Sequence, residues 1–303
     1  MEKRFPNVIL ATACLPWTDQ YELDEALFIA EVQGLISRGI QYIYLFGTAG
    51  EGYAVSDKQF HQITGLFARM MHEQNCFPII GLISLSFMTM LERIQEAYFM
   101  GIRDFMFALP SWGALEDDEL SIFLHRLCDP YPDCRFIHYN NPRSKRVLTC
   151  AEYEFFADKI PNLVGVKYST SDKDIISDLA KSCLPLRFFL TENGFAEGSL
   201  TGDFGLLLSI ASTNIAKARQ YYRAGIQKDV RVLRSMQKEL KIMVATLADV
   251  VGSRIDGGYD KIFSKIRTPS FPLRLLPPYL GATEEAFKAY VYFLRTEMPH
   301  WIE

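Results

Sequence analysis

Three short motifs carry the residue types from which chemistry is made, and each borders an apolar run. Leu163-Val164-Gly165-Val166-Lys167 closes on an amine. Tyr139-Asn140-Asn141-Pro142 opens on a phenol, and Gly47-Thr48-Ala49-Gly50-Glu51 is a glycine-bounded turn with a hydroxyl. If each run is a buried strand, an amine held at its end is poorly hydrated. Burial disfavours the charged form of an amine, and an uncharged amine attacks a ketone. A phenol beside it can move protons while a carbinolamine forms and while C–C bonds are made or broken. Glycines let the turn's N–H groups approach an anion closely, and the Thr48 hydroxyl adds a donor, so a carboxylate suits that cradle. Together these are the parts for a Schiff base with a 2-oxo acid. Singly, each has a plainer reading: a surface lysine, a core tyrosine, an ordinary turn. The conjunction points to chemistry.

Side chains alternate along a strand with a period of two, which places Gly165 and Leu163 on the face of Lys167. A glycine two residues before the lysine removes bulk beside it. Tyr168 and His138, each one residue out of phase with the reactive pair, point away and read as packing.

The elements that must position these groups follow a regular beat. Apolar runs at 8–15, 42–46, 77–83, 103–109, 135–139, 163–167, 186–190 and 205–211 read as strands. Helical stretches follow at 25–38, from Ser56 to about 75, at 87–100, 116–129, 149–159 and 172–183. A shorter helical or irregular piece reaches 200, and a last helix spans 215–225. Asp24 stands where a helix cap is wanted, and Ser56 with Gln59 three residues on has the form of a capping box. Short strands apolar on both faces suit a parallel sheet covered by helices, and eight such units close into a (β/α)8 barrel. A doubly wound open sheet would bring a glycine-rich G-x-G-x-x-G after the first strand, where this chain reads Ala13-Cys14-Leu15-Pro16. After Gly225 the beat stops. A helical stretch at 230–248, a segment broken by Pro269, Pro272, Pro277 and Pro278, and a final helix at 283–295 form a C-terminal helical extension. The expected organisation is a barrel over 1–225 and a helical domain over 226–303.

Composition narrows the function. A 303-residue chain that is 49% hydrophobic buries a large core. A net charge of -4 without a basic run argues against nucleic acid as a partner. No apolar stretch approaches a membrane span. The six cysteines form no C-x-x-C pair and fit free thiols in a reducing cytosol, so a cytoplasmic location is expected. The five histidines are scattered without ligand spacing. No metal, nucleotide or flavin motif is evident, and the expected cofactor is none beyond the covalent adduct on the lysine.

Jointly, the patterns G-T-x-G-E, Y-N-x-P and G-[IV]-K, in this order and approximate spacing, resemble the dihydrodipicolinate synthase / N-acetylneuraminate lyase superfamily of class I, pyruvate-type aldolases. Gly202-Asp203-Phe204-Gly205 is similar to that family's glycine-flanked entry to strand eight. Phe271-Pro272-Leu273-Arg274-Leu275-Leu276-Pro277-Pro278 is similar to its proline-rich C-terminal segment. The resemblance covers about residues 5–298. It implies a barrel with a C-terminal helical domain and a homo-oligomer, a tetramer or dimer. It also implies a Schiff base on Lys167, Tyr139 as acid/base, and Thr48 with Gly47 and the Ala49 turn around the substrate carboxylate. Leu207 is also placed at the substrate.

Three departures bear on the substrate. The second hydroxyl residue common in the turn of the lysine-pathway synthases is Ala49 here. Where those enzymes place a tyrosine after strand four, this chain has Leu109-Pro110-Ser111-Trp112-Gly113, so Trp112 is expected near the site; an indole donates but cannot relay a proton as a phenol does. Where they carry an arginine after Y-N-x-P, the simplest register gives Ser144, with Arg143 and Arg146 nearby. The expected activity is therefore a lyase that interconverts pyruvate plus an aldehyde with a longer 2-oxo acid. One alternative, suggested by Trp112 with Ala49, is a hydratase-aldolase acting on arylidene-pyruvates. Another is a barrel that binds a 2-oxo acid or sugar acid without turnover. Glu192, Asn193 and Ser212, following strands seven and eight, are candidates either for hydroxyls on the distal half of a substrate or for helix capping.

Overall fold

A computed structural model describes residues 2–302. Eight parallel strands close on themselves in sequence order: β1 (Ile9–Thr12), β2 (Tyr42–Leu45), β3 (Phe77–Leu82), β4 (Asp104–Phe107), β5 (Arg135–Asn140), β6 (Leu163–Tyr168), β7 (Arg187–Leu190) and β8 (Gly205–Leu207). The helices between and after them are α1 (Glu25–Ser37), α2 (Asp57–Glu73), α3 (Phe87–Phe99), α4 (Asp117–Cys128), α5 (Cys150–Lys159), α6 (Lys173–Lys181), α7 (Glu192–Thr201) and α8 (Ile215–Ile226). This is the expected (β/α)8 barrel. The expected caps form: Asp24 accepts from the Leu27 amide at 3.0 Å, and Ser56 and Gln59 exchange both bonds of a capping box.

Burial separates into two layers because every strand alternates. An inner set, with Leu10, Tyr44, Ile79, Met106, Ile137, Tyr139, Phe189 and Leu207, fills the barrel. A larger outer set joins the strands to the helices. Tyr168 lies in the outer layer, and His138 stacks on Phe107 there and bonds the Tyr153 hydroxyl at 2.8 Å, both as expected.

Two features depart from the sequence reading. Leu163 does not share the face of Lys167. Phe136 pairs with Leu163 but Ile137 pairs with Gly165, so Val164 is an extra residue in β6. Such a bulge shifts the alternation by one, and Val164 rather than Leu163 enters the barrel core. Gly165 keeps its expected place, and a Cβ there would stand 2.9 Å from the Arg187 carbonyl of β7. The eighth strand also ends early: Ile210–Thr213 is a 3-10 turn rather than strand.

Beyond the barrel run α9 (Val230–Val251), α10 (Asp256–Arg267) and α11 (Glu284–Glu297). The sequence reading contains no counterpart of α10. Its cap residue, Ile255, offers no side-chain acceptor, and Gly257-Gly258 weakens its first turn. Buried ion pairs nonetheless fasten it across the barrel rim. Lys261 meets Glu51 at 2.6 Å and Arg267 meets Glu31 at 2.7 Å, while Arg267 also donates to the Ser212 carbonyl at 2.6 Å. Among the described residues no helix is long and apolar enough to cross a membrane.

Candidate active site

β5 and β6 are neighbours, and their register sets Tyr139 directly beside Lys167. Both are buried. The Lys167 Nζ lies 3.8 Å from the centre of the Tyr139 ring and 5.2 Å from that of Tyr44 on β2. Among the described residues Lys167 has no hydrogen bond or ion pair; its contacts are the faces of two phenol rings. The Tyr44 hydroxyl is fully buried without a hydrogen-bond partner, and burial first and Tyr139 second push it well above the usual phenol range. Tyr44 was not singled out from the sequence. Its signal was available: it stands three residues before Gly47 and in phase with inward-facing Tyr42.

The turn after β2 has two structural reasons for its motif. A Cβ on Gly47 would come within 2.3 Å of the Tyr44 ring, so this glycine makes room for an aromatic ring near the amine. Glu51, fully buried, accepts from Trp17 Nε1 at 2.8 Å and from the Leu276 amide at 2.6 Å in addition to its pairing with Lys261. The acid of the motif thus ties the turn to α10 and to the proline-rich segment. Between these anchors the amides of Thr48, Ala49 and Gly50 make no backbone hydrogen bond among the described residues. The Ala49 side chain packs with Cys14 and Phe271. What Ala49 offers a carboxylate is therefore its N–H.

A cavity of about 300 Å³ opens above Tyr139. Thr48, Tyr139, Asn141 and Arg143 line it, with Ser84, Ser111 and Ser144 as further hydroxyls and Ile83, Leu85, Leu109, Ile255, Tyr53 and Tyr279 as walls. Arg143 is the arginine that reaches this space. Arg146 instead holds the Leu115 carbonyl, Asp117 and Glu152. Burial disfavours the charge on Arg143, but the Asp256 carboxylate outweighs that and raises its pKa.

Four expected site residues lie elsewhere. The Trp112 side chain is 84% exposed and does not line the cavity; neighbouring Ser111 does. An aromatic wall from Trp112 is absent because the loop after β4 turns the indole outward, and Lys145 holds the Trp112 carbonyl at 2.8 Å. Glu192 is buried and clasps the loop after β8, accepting from the Ser209 amide at 2.7 Å and the Ala211 amide at 2.9 Å. The Asn193 carbonyl accepts from Gln237 at 3.1 Å, and the Ser212 hydroxyl bonds the Ser209 carbonyl at 2.6 Å. The Glu192 and Ser212 side chains are thus engaged within the protein, whereas the Asn193 side-chain Oδ1 is buried without a hydrogen-bond partner among the described residues. Leu207 sits in the barrel core with Tyr44 and Tyr139, under the site.

Comparison with known proteins bears on the family and the fold. A model of the dihydrodipicolinate synthetase family matches residues 5–248. The chain is 22% identical to the 4-hydroxy-tetrahydrodipicolinate synthase of Exiguobacterium sibiricum over 263 residues, covering 85% of this chain and 88% of that one. It is 25% identical to the N-acetylneuraminate lyase of Rattus norvegicus over 175 residues, spanning 56% of this chain and about half, 54%, of that protein. Among solved structures, the E. coli K12 prophage protein YagE of the dihydrodipicolinic acid synthase family, determined with pyruvate, superposes with a TM-score of 0.82 at 16% identity, over 95% of this chain and 97% of that one. A family match across this much of the barrel is decisive: the chain belongs to the dihydrodipicolinate synthetase family.

Proposed function

We propose that this chain is a Schiff-base lyase that interconverts pyruvate plus an aldehyde with a longer 4-hydroxy-2-oxo acid. Lys167 Nζ adds to the keto carbon of pyruvate, and loss of water leaves an imine. Removal of a methyl proton gives the enamine, whose carbon bonds to the aldehyde carbon while the aldehyde oxygen takes a proton. Hydrolysis of the imine frees the product and the amine. Tyr139 carries the protons, since its ring lies against Nζ. Thr48 and the free amides of the Thr48–Gly50 turn hold the pyruvate carboxylate. The reverse direction uses the same groups.

The observation that supports this reading best is the register pairing of two buried side chains, Lys167 and Tyr139, with Tyr139 lining a cavity that Thr48 also lines. A lysine buried for stability normally brings a carboxylate with it, and this one has ring faces instead. The test is borohydride reduction in the presence of pyruvate. A reduced adduct mapped by mass spectrometry to Lys167 is the expected result; an unmodified Lys167 peptide refutes the reading.

A further inference from the structure

The Lys167 amine lies between two walls of the barrel. β2 stands four strands from β6 in the closed sheet, so the Tyr44 ring meets Nζ from the opposite wall, while the Tyr139 ring meets it from the neighbouring strand. Holding a phenol at position 44 makes two demands on the fold. Its hydroxyl is buried without a hydrogen bond, which is costly. The turn must also carry glycine at position 47, where a Cβ would come within 2.3 Å of the ring. What the ring supplies at the amine is the negative face of its π-system.

The steps of the lyase reaction decide what such a face can do. The Lys167 lone pair bonds to the keto carbon, and the carbonyl oxygen takes the proton that the nitrogen gives up. The resulting hydroxyl then leaves with one further proton as water, the nitrogen pair closes the C=N bond, and the nitrogen keeps one positive charge. Loss of a methyl proton cancels that charge in the enamine, and bonding to the aldehyde carbon restores it. The charge thus appears twice in each turnover, at a side chain with no ion pair among the described residues. Asp260, which acts on this amine through space, is pushed up to about 8 by burial first and the Asp256 charge second, so it is mostly protonated at neutral pH. Burial first and Tyr139 second hold the Tyr44 hydroxyl well above the usual phenol range, so no phenolate is present to pair with the charge.

We propose that Tyr44 is a catalytic residue of this lyase, whose ring face, opposite that of Tyr139, stabilises the positive charge of the protonated imine on Lys167 in place of a carboxylate. The proposal rests on the lyase reading above and adds the group that supports its charged intermediate. A cation within about 6 Å of a ring centre is attracted by the ring quadrupole, more strongly where water is excluded, and Nζ lies inside that reach at 5.2 Å. A carboxylate in the same place would favour the ammonium form of the free amine and remove the nucleophile. A ring face attracts more weakly and leaves the lone pair in play.

The test is borohydride trapping at a series of pyruvate concentrations, reading the concentration that gives half-maximal reduced adduct on Lys167. Tyr44→Leu should raise that concentration by about tenfold, and Tyr44→Phe should restore most of the loss. Phenylalanines carrying one, two and three fluorines, placed at position 44, keep the ring's shape and drain its face of negative charge. They should weaken adduct formation stepwise, to about fivefold below Tyr44→Phe for the trifluorinated ring, with the unfolding midpoint unmoved across the series. Adduct formation that is flat along the fluorinated series overturns the proposal, as does a decline that only follows loss of stability. Loss of the adduct in Tyr44→Phe, with the fold intact, assigns the role to the hydroxyl and overturns it too. A wild-type adduct with any of these outcomes overturns the role of Tyr44 alone, and no wild-type adduct overturns it together with the lyase reading.

Discussion

Two lysines are buried near the rim of this barrel, and their surroundings are opposite. Lys261 on α10 is fully enclosed, meets Glu51 at 2.6 Å, and donates to the Arg274 carbonyl. Burial pulls its pKa down, and Glu51 acts against that pull. Lys167 on β6 is nearly as well buried, yet its neighbours are the rings of Tyr139 and Tyr44. An amine tied to a buried carboxylate and a carbonyl holds structure together. An amine against aromatic faces keeps its nitrogen available to form a bond. The same side chain thus reads as a fastening in one place and as a reagent in the other, and the difference lies in partners rather than in depth.

Replacing each lysine by methionine, which keeps length and removes the amine, is the direct way to break this comparison. Lys167→Met should abolish the pyruvate adduct and lower turnover by about four orders of magnitude or more, while leaving the unfolding midpoint near that of the wild type. Lys261→Met should do the reverse in kind. It strands the Glu51 carboxylate in the interior, and breaking one side of a buried pair costs about 3–5 kcal/mol, read by urea unfolding. If the methionine at 261 proved harmless to stability, or that at 167 as disruptive as the one at 261, the division of labour would be wrong. Tyr139→Phe sharpens it further. Without the phenolic proton carrier kcat should fall by about a hundredfold, yet the adduct should still accumulate at Lys167 because the amine is intact. Loss of the adduct itself would make Tyr139 part of the nucleophile's support instead.

How much of this was legible in the sequence follows a physical line. The beat of short apolar runs, the caps at Asp24 and Ser56, and the pairing of Tyr139 with Lys167 are local signals carried by consecutive strands, and they emerge in place. The bulge that sends Leu163 to the outer layer depends on how β5 and β6 pair, which alternation within one strand cannot report. Glu192 is invisible as a clasp until β8 brings the Ser209 and Ala211 amides to it. Trp112 shows the limit of register arguments in loops: one residue's difference puts Ser111 at the cavity and the indole in solvent. The largest omission, α10, has weak local helix signals and strong distant ones. Its existence is written in Glu51, Glu31 and Arg143, residues far from it along the chain, and it carries two carboxylates of its own, Asp256 and Asp260.

The second of those carboxylates, Asp260, gives the smallest and most specific prediction. It lines a cavity of about 290 Å³ with Ser209, Ile210 and Phe263, half-buried by surface but ringed by protein. Burial first and the Asp256 charge second push it up to about 8, with Lys167 pulling the other way. In the unfolded chain the same acid titrates near 3.9, about the ordinary aspartate value. Between these limits the folded state holds a proton that the unfolded state has released, so this group's contribution to stability is full below about pH 4 and declines as the pH rises toward 8. Asp260→Asn removes the decline. The variant should melt close to the wild type at low pH and a few degrees above it at pH 8.5, flattening the profile between. Parallel melting profiles across that range would mean that Asp260 ionises freely in the fold. Asp260 would then be charged at neutral pH, and the contrast between the tied lysine at 261 and the untied one at 167 would have to include that charge, which acts on Lys167.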